Sequence, residues 1–264
     1  MKEVMYDHSS VLIVGVLLLA LALAVEVGYR FGNRFGDQAN DSIKTQINTI
    51  QAALLGVLAL LLGFTFSLSL QRYDTRSQAV IIEANAIGTA MLRAGLLPSA
   101  VRMQTQDLLR EYLDLRVRAG AISLDRHDER SAVLRESSRV MDSLWRQAQL
   151  AAEAEPNPVT TGLFIQSLND LIDAYGTRDA ALNRHVPEVV LFLLFAAFVL
   201  TACLVGYASG LAGRRASFAT YVLVLLIAFL VFIVIDLDRP RRGLIEVSQQ
   251  GLVDLQTSFG LAGN

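Results

Sequence analysis

The sequence predicts an all-α integral membrane protein: four transmembrane helices arranged as two hairpins that flank a helical cytosolic domain. Three observations carry this prediction. Four apolar runs each have the length of a membrane span. The charged residues collect between those runs instead of being spread along the chain. No segment alternates apolar and polar residues as a half-buried strand does. The 264 residues are 53% hydrophobic and 18% charged, whereas a soluble domain carries about a quarter charged residues. The expected boundaries are 1–70 for the first hairpin, 71–185 for the cytosolic domain, 186–238 for the second hairpin and 239–264 for a cytosolic C-terminal segment.

The first run covers residues 11–27, interrupted only by Glu26. Ala22-Leu23-Ala24 resembles a signal-peptidase site, with Lys2 as its positive flank. Glu3 and Asp7 dilute that charge and the run is long, so a retained membrane helix is expected. The second run is 50–70, the third 186–211 with Glu188 at its start, and the fourth 218–235. Each is close to the ~20 residues that cross ~30 Å of hydrocarbon as a helix. None has a charge near its middle, where one would cost several kcal/mol. The polar link at 30–49 (Gly32, Asn33, Gly36, Asp37, Asn40, Asp41) and the shorter one around Gly213-Arg214-Arg215 make each pair of spans a hairpin.

The second run does not stop at the membrane. No proline lies between Arg72 and Arg93, so one long helix is expected to project into water until Gly95-Leu96-Leu97-Pro98 ends it. Ser99 is the expected N-cap of a helix reaching Ala119 and stopped by Gly120. Ser123 or Asp125 caps the next, to about Glu153, with Leu134, Met141, Leu144, Trp145 and Ala148 at helical spacing. Asn157 as N-cap and Pro158 as first helical residue start a further helix. That helix ends before Pro187, which opens the third span. The balance of Lys and Arg near the span ends places both termini and the middle domain on the cytoplasmic side. Lys2, Arg72, Arg76, Arg178, Arg184, Arg239, Arg241 and Arg242 lie there, against Arg30, Arg34, Lys44, Arg214 and Arg215 opposite.

Composition and motifs exclude several function classes. His8, His127 and His185 are far apart and match no metal-binding spacing. No nucleophile–base constellation or phosphate loop stands out, so neither an enzyme nor a cofactor is expected. The formal net charge of −2 says nothing about partners, and no strongly basic surface suggests nucleic acid. Cys203 is the single cysteine and lies in an apolar run, which leaves it a packing role. The two hairpins lack the paired broken helices of a secondary transporter.

The second span carries the most information. Ala52, Gly56, Ala59, Gly63 and Ser67 form a small-residue stripe suited to close helix packing. Ala202, Gly206 and Gly210 form a similar stripe in the third span. Nearly opposite the first stripe lie Leu58, Leu62, Thr65, Ser69, Arg72 and Arg76, a face that grades from apolar through hydroxyl to cationic. This face is expected to line a pore, with the arginines concentrating anions at its mouth. The competing reading has Thr65 and Ser69 bonding their own helix backbone, with the arginines snorkelling to the interface. Two readings also stand for Asp236 and Asp238: ion pairing with Arg72 and Arg76, or a cation site. Glu83 and Asn85 form a third polar group, read either as part of a cation path or as an interhelical hydrogen-bond network.

The stretch Gly63-Phe64-Thr65-Phe66-Ser67-Leu68-Ser69-Leu70-Gln71-Arg72-Tyr73-Asp74 resembles the bacterial bestrophin-like domain family. So do Glu83-Ala84-Asn85-Ala86-Ile87-Gly88-Thr89-Ala90 and Asp236-Leu237-Asp238-Arg239-Pro240-Arg241-Arg242-Gly243-Leu244-Ile245. The resemblance runs from the second span to Gln250. It implies a relation to bestrophins, which are pentameric, anion-selective channels with four membrane helices per subunit and a helical cytosolic domain. Their second membrane helix lines the pore and carries an apolar neck. Leu58, Leu62 and Phe66 are the counterparts of that neck by position, and hence the expected gate. Bestrophins also carry an acidic calcium clasp after the last span. Here Asp236 and Asp238 are followed by arginines, so no calcium site is carried over. The expectation is a homo-oligomeric, anion-selective channel of the bacterial inner membrane, whose partners are the lipid bilayer, further copies of the chain and inorganic ions. A cation-selective channel using Asp236, Asp238 or Glu83 is the rival. A non-conducting scaffold or sensor that binds a cytosolic partner is the alternative outside the channel class.

Overall fold

The computed structural model describes residues 9–36, 40–122, 126–215, 217–239 and 244–260. The described residues form α1 (Ser10–Phe35), α2 (Asp41–Ala94), α3 (Ser99–Ala121), α4 (His127–Ala154), a π-helical turn (Pro158–Gly162), α5 (Leu163–Leu182), α6 (Glu188–Leu211), α7 (Phe218–Asp238) and α8 (Gln250–Ser258). Among them there is no strand. Four helices, α1, α2, α6 and α7, are long and apolar enough to cross a membrane. The 54 residues of α2 span about 80 Å as a helix, more than twice the thickness of the hydrocarbon layer.

The chain divides into two compact units: Met1–Gln71 with His185–Arg239, and Arg72–Arg184 with Pro240–Asn264. In the first, the closest helix packing lies between the two expected hairpins, where α1 runs against α6 and then α7. Glycine sets that approach. A Cβ at Gly28 would sit 1.9 Å from the Cys203 carbonyl oxygen, and one at Gly32 2.2 Å from that of Tyr207. From the other helix, Gly206 and Gly210 would meet the carbonyl oxygens of Val25 and Tyr29 at 2.0 and 2.3 Å. Two glycine pairs at four-residue spacing thus face one another, and any side chain there would push the backbones apart. Leu17, Leu21, Val25, Leu58, Leu194, Phe198, Val231 and Val234 fill the core of this unit.

In the second unit the central part of α3 supplies Leu109, Tyr112 and Leu113 to a core shared with Ile87, Leu144, Phe164, Leu168 and Leu171, all fully buried. Leu252 of α8 joins the same core. That short helix is absent from the sequence-based expectation, because nine residues are too few to show a clear periodicity. The apolar spacing expected for α4 holds at Leu144 and Ala148, whereas Trp145 is 37% exposed.

Several boundaries differ from expectation for identifiable reasons. Helix α1 continues past Val27 to Phe35. An i,i+4 pair between Glu26 and Arg30 (2.8 Å) extends it, and the glycines that interrupt its polar end sit against α6. Asn40 caps α2 by accepting from the Ile43 N–H at 2.9 Å, so the link between the two spans is much shorter than 30–49. Ser99 is not a cap. Pro98 holds the extended position before α3, and its carbonyl accepts from the Val101 and Arg102 N–H groups at 3.1 Å. Asn157 and Pro158 occupy the cap and first helical positions, with the Asn157 side chain accepting from the Val159 N–H at 2.9 Å. The readings placed on Lys2, Glu3, Asp7, His8, Asp37, Ser123, Asp125, Pro240, Arg241, Arg242 and Gly243 lie outside the described residues, as does the side chain of His127.

Candidate conduction helix and buried polar clusters

In the membrane part of α2 one face is buried within the chain and the small-residue face is exposed. Leu58, Leu62, Thr65 and Ser69, expected to line a pore, are buried against helices of the same chain. Thr65 Oγ1 donates to the Leu61 carbonyl of its own helix at 2.7 Å. Ser69 is fully buried and borders a cavity of about 10 Å³, roughly the room for one water. Val186, Asp238 and Arg239 share the lining with it. The small-residue stripe Ala52, Gly56, Ala59, Gly63 and Ser67 is exposed instead. Cβ atoms at Gly56 and Gly63 would meet nothing within 4 Å. Leu60 and Phe64, on this outward side, are 63% and 70% exposed. Phe66, the third expected gate residue, is only 37% exposed.

This distribution has a physical cause. Within a bilayer an apolar face and a small-residue face are both acceptable to lipid. Thr65 satisfies its hydroxyl on the Leu61 carbonyl of its own helix, whereas Ser69 Oγ is buried with no hydrogen-bond partner among the described residues and borders the small cavity. Among the apolar pairs, Leu58 and Leu62 fill the core volume that small residues would leave empty.

The expected cationic mouth is also partly absorbed. Arg76 is 2% exposed. Its Nε donates to the Ala181 carbonyl at 3.2 Å and its Nη2 to that of Arg184 at 2.7 Å. It therefore satisfies carbonyls at the end of α5, where a cation is favoured by the helix dipole. Arg72 is half-buried.

Asp236 and Asp238 close α7 and are buried. Asp238 Oδ2 accepts from the Val186 N–H at 2.8 Å, and His185 Nδ1 lies 3.3 Å from the Asp238 carbonyl. Arg239, also buried, donates from Nη1 to Ser10 Oγ at 3.3 Å. The cluster thus ties the end of α7 to the start of α6 and of α1. Among the described residues no group of three or more His, Cys, Asp or Glu could hold a metal ion.

A third cluster lies in the second unit and centres on Glu83, which is fully buried. Its Oε1 accepts from Arg116 Nε at 2.5 Å and from the Tyr112 hydroxyl at 3.2 Å. Its Oε2 accepts from Arg116 Nη2 at 3.3 Å and from Arg178 Nη1. Arg178 Nη2 donates in turn to Gln249 Oε1 at 2.6 Å. The Arg116 guanidinium stacks on the Tyr175 ring, 4.8 Å from its centre. Burial alone would raise the Glu83 pKa, but the Arg116 and Arg178 guanidiniums outweigh it and hold the carboxyl below the usual carboxylate value. Burial and the Glu83 charge push the Tyr112 phenol well up. Asn85, two residues on, lies on the opposite, exposed side of α2 and is outside these contacts. Glu83 was legible as a candidate. Arg116 and Gln249 were not, since neither carries a motif and each lies far from Glu83 in sequence.

These features define a helical membrane protein whose apolar unit exposes apolar sides of α1, α2, α6 and α7 and whose other unit holds a buried charge cluster. The sequence profile of the family described as bestrophin-like domain matches residues 18–252, and the chain belongs to that family. The crystal structure of a point mutant of a bacterial bestrophin homolog from Klebsiella pneumoniae shares the fold, with a TM-score of 0.60 at 15% identity. The match covers 94% of this chain and 98% of the other. No curated protein matches the sequence.

Proposed function

We propose that the chain is the subunit of a homo-oligomeric, anion-selective ion channel of the bacterial inner membrane, with α2 lining its path. Both termini and the unit containing Glu83 lie in the cytoplasm in this reading. The observation that carries it is the outward side of α2, where Leu60 and Phe64 project beside Gly56, Gly63 and Ser67. Arranged around a symmetry axis, the leucine and phenylalanine form an apolar constriction, and the glycines and serine give room for a neighbouring helix. This assignment replaces Leu58, Leu62, Thr65 and Ser69 as lining residues, because those are engaged within the chain. Membership of the bestrophin-like family supports conduction over a scaffold role, and bestrophins are known as channels, not enzymes. The burial of Asp236, Asp238 and Glu83 within the single chain favours the anion-selective reading over the cation-selective one.

Reconstitution of the purified protein in planar bilayers under a salt gradient tests both parts. The reversal potential is expected at the anion equilibrium value. Phe64→Ala is expected to raise single-channel conductance severalfold by widening the constriction. A cation-directed reversal potential overturns the selectivity, and absence of conductance across several salts and voltages overturns the channel.

A further inference from the structure

The Glu83 cluster has more positive charge than its carboxylate balances. Arg116 and Arg178, 3% and 2% exposed, share the one Glu83 carboxylate. The buried core of the cluster is left with one uncompensated positive charge. Three guanidinium atoms mark where that excess lies. Arg116 Nη1, Arg178 Nε and Arg130 Nε are all buried, and none has an acceptor among the described residues. Arg130, in the first turn of α4, is half-buried and lies within electrostatic reach of Arg116, Arg178, Asp179 and Tyr175. Asp179, also half-buried, offsets the charge of Arg130 but not the excess below it. A buried guanidinium N–H without an acceptor costs more than an ordinary missing hydrogen bond, because the group is charged. Burial, together with repulsion from Arg116, lowers the pKa of both Arg130 and Arg178.

We propose that a small monovalent inorganic anion, such as a halide, binds between Arg116 and Arg130 on the half-buried flank of the Glu83 cluster. The anion accepts from Arg116 Nη1 and Arg130 Nε and makes the buried core electrically neutral. Tyr175 covers the Arg116 guanidinium from one side, and Arg130 is the half-buried member of the pair. The site is built from residues of the unit that contains Glu83, so the proposal stands whether or not the chain conducts. Its role is to let the folding of this unit respond to the anion.

The test compares native protein with Arg130→Gln, both full-length and in detergent. Unfolding temperature is measured as sodium chloride replaces sodium gluconate at constant ionic strength. Gluconate is a much larger and more diffuse anion than chloride. Non-specific salt effects act on both proteins alike, so the readout is the difference between their responses. The native protein is expected to gain about 3 °C more than the variant at chloride tenfold above its Kd, with saturation. Equal responses overturn the proposal, since any halide bound elsewhere, in a pore for instance, stabilises both. A second measurement uses crystals of the native protein grown in bromide. An anomalous peak beside Arg116 Nη1 supports the site, and its absence from well-ordered density there overturns it.

Discussion

Replacing Glu83 by glutamine keeps the size of the side chain and removes the charge that two buried arginines share. Glu83 is fully buried and accepts four hydrogen bonds, three from guanidinium nitrogens and one from Tyr112. An amide offers one acceptor oxygen and turns an N–H₂ toward guanidinium donors, so at least one arginine loses its partner. Removing one member of a buried pair costs about 3–5 kcal/mol. At about 2–4 °C per kcal/mol for a domain of this size, the unfolding temperature should fall by roughly 6–20 °C. Circular dichroism of the detergent-solubilised protein measures this. A double variant, Glu83→Gln with Arg178→Gln, should recover part of the loss, because one orphaned charge goes with its partner. The acid limb gives an independent check. The folded Glu83 pKa lies below the unfolded one, so its stabilisation is complete above the ordinary carboxylate value. It is lost only as the pH falls through the lower, folded value. The native protein should therefore show no Glu83-dependent change between pH 8 and 6 and a steep loss in strong acid, which the Glu83→Gln variant lacks. A fall of less than about 2 °C in that variant, equivalent to at most ~1 kcal/mol, would refute the reasoning.

Two further substitutions separate packing from conduction. Gly210→Ala places a methyl 2.3 Å from the Tyr29 carbonyl oxygen and should cost about 1–3 kcal/mol as α1 and α6 move apart, seen as a lower unfolding temperature. Gly56→Ala meets nothing in its own chain, so the unfolding temperature should not fall, and gains at most the equivalent of about 1 kcal/mol from helix propensity, while conductance shifts. Arg76→Gln leaves the Ala181 and Arg184 carbonyls without their cation and should cost about 1.5–3 kcal/mol, with little effect on the reversal potential because the side chain is buried.

The apolar runs made the four membrane helices readable, since length and hydropathy alone decide whether a segment can span. The continuation of α2 beyond the second run was readable for a negative reason: nothing between Arg72 and Arg93 breaks a helix. The end points were less so. Gly32 lies in what reads as a polar link, yet it belongs to α1 and contacts the Tyr207 carbonyl across the interface. Its meaning depends on Gly206 and Gly210, which lie far along the chain, and pairing over that distance leaves no local periodicity. Gly28 was missed for the same reason. The loop-like spacing of Asn33 and Gly36 hid a helix whose termination is governed by packing rather than by propensity.

The polar residues taught a different lesson about α2. A helix that grades from leucine through hydroxyls to arginine looks like a pore lining when viewed alone, and the same gradient suits a helix buried on one side. What separates the two cases is whether each polar group finds a partner within the chain, and that is a tertiary property. Arg76 finds carbonyls at the end of α5, a tertiary pairing, whereas Thr65 needs only the carbonyl one turn back in its own helix, a local bond open to it in either case. Arg76 is thereby removed from the set of groups free to meet an ion. The outward side keeps only apolar and small residues through its membrane section. A path lined this way would admit ions through a narrow apolar constriction rather than along a ladder of binding groups, so its selectivity would have to arise from charges beyond the constriction. Moving the constriction should therefore change conductance more than selectivity. This is why Phe64→Ala and the reversal potential probe separate parts of the proposal: widening at Phe64 with an unchanged reversal potential is the expected combination, and a changed reversal potential would place the selectivity filter at the constriction itself.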